Sequence, residues 1–310
     1  MWKIIQPVAL LATALVPLLH AMPAQAQTRV FVAAQGSDSN SCTFAAPCRT
    51  FQHAHDVVAP NGEIDVLDPA GYGAVNITKS VSIQGHGFSG ITVTSGNAIS
   101  INAAAGDKIN LRGLVIEGFG TGSTGLVFHT GRSLVLENLV VRNFAGNGML
   151  FSPSALSSLI VSSTIVADNA GFGILVQPSG NFQYQIVFTH VEAYNNATGG
   201  LILTGGAMAG GQINGFAVDC IASDSSHQPT SSVGFGAEAG QASVDFQLMR
   251  SSATGNHFGA SARNPGARVT MSQTIFTGNF EDWLVNGGTL ITYGDNVAVF
   301  TAVATTFSKQ

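Results

Sequence analysis

The chain has 310 residues and carries 12 basic against 17 acidic side chains, a net charge of −5. That balance offers no basic footprint for nucleic acid or for an anionic membrane surface. Sparse charge, 45% hydrophobic residues and 37 glycines exclude a disordered chain and a charge-rich helical bundle, and suit an all-β fold.

In chain order, Met1 to Ala26 reads as a secretory signal. Lys3 supplies the positive start, residues 4–19 form a short apolar core broken by Pro7 and Pro17, and Ala24-Gln25-Ala26 is a small-residue cleavage site. The apolar run falls short of the ~20 residues that a membrane span needs. Cleavage after Ala26 would leave a secreted or periplasmic chain without a span. That chain reads as one domain, with a cap over 27–61, coils over 62–300 and a tail over 301–310. Within the cap, Cys42 and Cys48 flank the loop CTFAAPC, a pair that an oxidising compartment would join. Two thiolates without further Cys or His at ligand spacing make a poor metal site, so neither a metal nor a cofactor is expected. The segment CRTFQHAHDVV then puts Phe51, Ala54, Val57 and Val58 on one face of a short helix that would close the core.

From residue 62 the chain repeats itself. Short strands open at a glycine: GLVF at Gly125, GMLF at Gly148, GILV at Gly173, GLIL at Gly200, GAEA at Gly236 and GASA at Gly259. The intervals are 23, 25, 27, 36 and 23 residues. Preceding segments match too, and an asparagine recurs near the turn, at Asn143, Asn169, Asn195 or Asn196, Asn256 and Asn279. A repeat of this length without helical periodicity is one coil of a solenoid. The leucine-rich and calcium-binding nonapeptide patterns are missing, which leaves a parallel β-helix, right-handed by the crossover preference of parallel strands. Roughly ten coils at ~4.8 Å each predict a rod of about 50 Å. By period two, Leu126/Phe128, Met149/Phe151, Ile174/Val176, Leu201/Leu203, Ala237/Ala239 and Ala260/Ala262 should point inward. Stacked asparagines would satisfy turn backbone, and glycines would supply positive-φ corners.

The segment from VFVAAQGSDSN through PCRTFQHAHDVV to ITKSVSIQGHG resembles the cap and first coils of secreted bacterial parallel β-helix proteins of the pectate-lyase-like superfamily. The resemblance covers essentially the whole mature chain. It implies the fold and an extracellular setting, on a scaffold that hosts lyases, hydrolases, epimerases and non-enzymatic surface proteins. Lyases of the family need a Lys or Arg base, and the coils hold only Lys79 and Lys108, both early. Gly85-His86-Gly87 matches one element of the hydrolases without an adjacent Asp-Asp, and reads as a tight turn. No catalytic residue is carried over.

Aligning coils by the pre-turn residue predicts a column of Glu117, Arg142, Asp168, Tyr194 and Asp224. Five residues earlier runs another, of Arg112, Glu137, Ser163, Thr189 and Asp219. Arg112 then lies over Glu137 and Glu117 over Arg142, pairs worth ~0.2–1 kcal/mol each as coil-to-coil ties, or else the wall of a polar groove for a glycan. Asp168, Asp219 and Asp224 are the candidate catalytic carboxylates, should two of them gather within roughly 5–10 Å as glycoside hydrolysis requires. Otherwise they are ordinary turn residues. The coil after Gly200 is overlong, and its excess carries His227 beside Asp224. The expected ligand-binding set is therefore Glu117, Arg142, Asp168, Tyr194, Asp224 and His227. A second stripe, Val127, Leu150, Leu175 and Ile202, followed by Glu238 and Ser261, should face outward. It would be covered by the chain itself or mark self-association. Cys220 reads as a buried, inert thiol. Together these readings predict an exported protein that interacts with a polysaccharide or cell-surface glycan, or is structural at the surface, with no complete catalytic motif. The alternatives are a polysaccharide-degrading enzyme, and an adhesin or assembly subunit.

Overall fold

The computed structural model describes residues 27–225 and 231–298. The signal expected over 1–26, His227 and the tail over 301–310 lie outside them. The chain builds the expected parallel β-helix, with two long sheets of stacked coils and a single short helix among the described residues. Nine strands in the second sheet mark nine coils, close to the ten expected.

One coil shows how the sequence does this. Ser158–Ala167 forms a single long strand, bent by Ser163 at φ 47 into a first and a second face. Asp168, at φ 57, turns the corner, and Phe172–Val176 makes the third face. Each side chain that points inward then meets its counterpart one coil away. On the first face the register runs Ile83, Leu111, Leu136, Val161, Phe188, Ala217, Leu248 and Met271, all buried. On the third face Leu126/Phe128, Met149/Phe151, Ile174/Val176, Leu201/Leu203 and Ala260/Ala262 point inward as predicted.

The overlong coil departs from the expected register. Leu201 pairs with Phe235 and Leu203 with Ala237, so the inward pair is Phe235/Ala237 and the strand opens at Gly234, not Gly236. Gly236 instead lies beside Ile202 on the outer side, the place expected of Glu238. The physical cause of the glycine column also differs from the expected one. The opening glycines are absent from the positive-φ positions. A Cβ on Gly148, Gly173, Gly200 or Gly234 would instead lie 2.6–2.9 Å from the carbonyl oxygen of the next glycine in the column. Close backbone approach, not a left-handed turn, selects glycine there.

The turn asparagines fall into two adjacent columns. Asn169, Asn196, Asn256 and Asn279, with Ser225 between, are buried and form the ladder. Asn169 Nδ2 donates to Asn196 Oδ1 at 2.8 Å, and Asn256 Nδ2 to Asn279 Oδ1 at 3.2 Å. Asn143 and Asn195 sit one residue earlier, at the corner itself, with φ of 59 and 52. In the coil of Asn143 the ladder place belongs to Phe144, whose N–H donates to Asn169 Oδ1 at 3.1 Å. A second stack lies at the bend between the first two faces, where Thr164 and Ser251 accept from the N–H groups of Leu139 and Cys220.

The N-terminal end is closed as expected. Thr50 caps the helix Phe51–Val57 by accepting from the His53 N–H at 3.2 Å, and Phe51, Ala54 and Val58 are buried while Val57 is half-buried. The Phe51 ring lies 5.2 Å from Tyr72, whose hydroxyl donates to Asp68. The cap is further pinned by the Cys42–Cys48 disulfide, which closes a loop with a sequence separation of 6. A loop that short restrains the unfolded chain modestly. Replacing both cysteines by serine is expected to lower stability by about 2 kcal/mol. Urea unfolding of oxidised protein, with and without the substitutions, measures it, and equal midpoints would contradict it.

Candidate functional site

The corner between the second and third faces presents a row of residues held in one conformation. Asn143, Asp168, Asn195, Asp224, Gly255 and Gly278 all have φ between 52 and 68, and Phe119, one residue past the corner in its own coil, has φ 50. Asn and Asp tolerate that region because the short polar side chain bonds locally. Asp168 and Asp224 therefore belong to this corner row. The register places Arg142 against Ala167, and Tyr194 between Ala167 and Ser223. The expected column of Glu117, Arg142, Asp168, Tyr194 and Asp224 is thus split across two neighbouring rows. The second expected column shifts in the same way. Thr189 pairs with Ser162 and Val218, so Ser163 and Asp219 stand at the bend instead, beside Asn138, His190 and Arg250.

The two expected ion pairs do form. Arg112 pairs with Glu137, and Arg142 Nε donates to Glu117 Oε2 at 2.8 Å, each across one inter-coil step. Glu117 is only 8% exposed, and its other oxygen accepts from Asn143 Nδ2 at 2.8 Å and from the Phe119 N–H at 3.1 Å. Further contacts appear only in the structure. Arg268 pairs with Asp245 near the C-terminal end. His86, at φ 57 in its tight bend, sets Nε2 2.6 Å from Asp65 Oδ1, and Asp65 also receives Arg29.

The candidate catalytic carboxylates do not share a cleft. Asp219 accepts two hydrogen bonds from Arg250, each 2.9 Å, with His190 Nε2 at 3.7 Å. Asp168 Oδ1 accepts from Asn195 Nδ2 at 2.5 Å. Asp224 is exposed at the same corner, two coils or about 10 Å further along. Asp219 belongs to the other bend. The Arg250 hydrogen bonds hold the Asp219 carboxyl below its ordinary 3.8. For Asp38, burial would raise the value, but the Thr50 hydroxyl and the Arg49 and Thr50 N–H groups outweigh it and the net direction is down. A carboxyl depressed in the folded state lends stability that is fully present above its unfolded value and is lost as pH falls through the folded one. The melting temperature is therefore expected to hold from neutrality to about pH 4 and to drop between about pH 4 and pH 2. A flat profile across that interval would contradict these pairings.

Cys220 is buried and its thiol is pushed up to about 11 by that burial, in keeping with an inert core residue. Among the described residues, the metal-ligating types that converge are Cys42, Cys48 and His53, and the two sulfurs are bonded to each other.

A recess of ≈ 300 Å³ opens on the corner row, lined by Asp168, Asn195, Asn169, Phe144 and Gly120 among others. Beside it stands Phe119, 62% exposed, in a Gly-Phe-Gly turn. No sequence motif points to that turn. Its signal was length: Glu117 to Gly125 is two residues longer than the equivalent Arg142 to Gly148. The remaining large aromatics able to stack on a sugar are mostly enclosed. Trp283, Tyr72 and Tyr184 are buried, Tyr194 is half-buried and Tyr293, near the C-terminal end, is exposed. Of the outward stripe, Val127 and Ile202 are buried and Leu150 and Leu175 half-buried, and around Ile202 gather Val233, Phe258, Phe172 and Leu284. No helix among the described residues is long and apolar enough to cross a membrane.

Comparison with known proteins places this geometry. Residues 63–213 match the family described as the right handed beta helix region. Among solved structures, the crystal structure of pectate lyase Pel9A superposes with a TM-score of 0.63 over 91% of this chain and 78% of that one, at 15% identity. At that identity the likeness is one of fold alone. A search of curated proteins finds no match.

Proposed function

We propose that this right-handed parallel β-helix of the pectate-lyase-like kind is an exported carbohydrate-binding or surface-structural protein without an assembled hydrolytic or lyase centre. One observation supports this reading above the others. Asp168 and Asp219 are each engaged by a neighbouring amide or guanidinium, and Asp168, Asp219 and Asp224 are distributed over two bends of the rod. Paired-carboxylate hydrolysis needs two groups facing one bond. Asp168 and Asp224 share a corner about 10 Å apart, but they stand two coils apart with Asn195, bonded to Asp168, between them. A polar surface on a rigid scaffold suits binding instead, with Arg142, Asp168, Tyr194 and Asp224 along it and the buried Glu117 holding Arg142 from behind. The disulfide and the fold likeness are in keeping with an extracellular setting.

A panel of polysaccharides scored for both retention and release of product ends tests the reading. Retention without release is the expected result. Release of reducing or unsaturated ends would overturn it in favour of a degrading enzyme. A second reading, self-association as an assembly subunit, draws on the outer side of the third face, where Leu150 and Leu175 of the stripe remain half-buried. Sedimentation of the purified protein tests that one: a monomer at all concentrations would set it aside.

A further inference from the structure

Phe119 is held in a conformation that bulky side chains avoid, at φ 50, with 62% of its surface in water. Its N–H is gripped by the buried Glu117, the same carboxylate that takes Asn143 and Arg142. A buried anion with three partners thus keeps an apolar ring out in solvent, where it adds nothing to the core. Glycine would occupy this left-handed position with less strain.

Next to the ring, polar groups recur once per coil. Asp168 Oδ1 is taken by Asn195, which leaves Asp168 Oδ2 as an acceptor and the Asn195 carbonyl and second N–H free to pair. The coil rise of ~4.8 Å repeats this row from Asn143 to Asp168, Asn195 and Asp224 at the order of one pyranose ring. Charge restricts what can lie there. The recess is lined by a carboxylate and no basic side chain, and the nearby Arg142 is spent on Glu117. A uronate carboxylate would meet like charge without compensation.

We propose that this corner binds a neutral pyranoside chain lying along the rod, with one ring stacked on Phe119 and the hydroxyls of rings two and three coils further along read by Asp168 and Asn195. The inference rests on the glycan-binding reading above and narrows it to uncharged sugars.

Calorimetric titration of the full protein with neutral hexasaccharides built of glucose, xylose, mannose or galactose, and with hexagalacturonate, tests it. At least one neutral chain is expected to bind about tenfold or more tightly than hexagalacturonate, and Phe119→Ala to lose about tenfold in that affinity. Asp168→Ala should weaken the same ligand. Because Phe119 is exposed, Phe119→Ala and Phe119→Gly should melt at or above the wild-type temperature. Tighter binding of hexagalacturonate would overturn the sugar class. Unchanged affinity in both Phe119 variants would overturn the corner site while leaving glycan binding intact. Failure of every sugar to bind would remove the glycan reading and this inference together.

Discussion

Asn196→Ala should lose about 3–5 kcal/mol of stability, read from urea unfolding. Asn196 is fully buried and serves two coils at once. Its Oδ1 accepts from Asn169 Nδ2 at 2.8 Å and from the Asn169 N–H at 3.3 Å, while its Nδ2 donates to the Val166 carbonyl at 2.8 Å. Alanine strands both Asn169 donors away from water, at ~1–3 kcal/mol for each, and takes from the Val166 carbonyl the amide it accepts beyond its sheet pairing. Asn143→Ala is the matched comparison. Asn143 sits half-buried at the corner and its side chain gives one bond, to Glu117, so about 1 kcal/mol is expected. If the two variants unfolded at the same urea concentration, the division into a buried ladder and a solvated corner row would be wrong.

Gly200→Ala is the second large effect, about 3 kcal/mol. The added Cβ would lie 2.7 Å from the Gly234 carbonyl oxygen and 2.9 Å from the Ala222 Cβ. Neither atom is the end of a flexible side chain, so relief requires two coils to separate. Gly106→Ala supplies the contrast. Nothing lies within 4 Å of its Cβ and its φ is not in the left-handed region. There the methyl only narrows the unfolded ensemble, and stability should stay level or rise by about 0.5 kcal/mol. Equal destabilisation by both substitutions, measured by thermal melting, would show that close approach is not what selects the glycine column.

The candidate site was only partly legible because one letter serves two physical ends. Asparagine is favoured at the corner for tolerating positive φ, and one residue later for stacking its amide. Matching Asn143 to Asn169 by identity slides one coil against the next by a residue. That slip carried Asp168 and Asp224 into a column that belongs to Ala167 and Ser223. The turn after Glu117 has no asparagine to be matched with Asn143, so that coil keeps its register and the expected pairs Arg112 with Glu137 and Glu117 with Arg142 hold. In the overlong coil, GFGAEAG offers two glycines two residues apart, and period-two alternation fits either. Only pairing with Leu201 decides that Gly234 opens the strand.

Periodicity, glycine spacing and apolar alternation alone determined that this chain is a parallel β-helix with a helical cap and a pinned N-terminal loop. Those features follow from each coil having to bury the same face against the same neighbour, a local rule written again in every repeat. Tertiary structure alone decided which of these polar side chains meet: His86 with Asp65, Asp219 with Arg250, Asn195 with Asp168. Such meetings depend on inter-coil register to a single residue, and register is set by where left-handed corners absorb a residue, which several side-chain types accommodate alike.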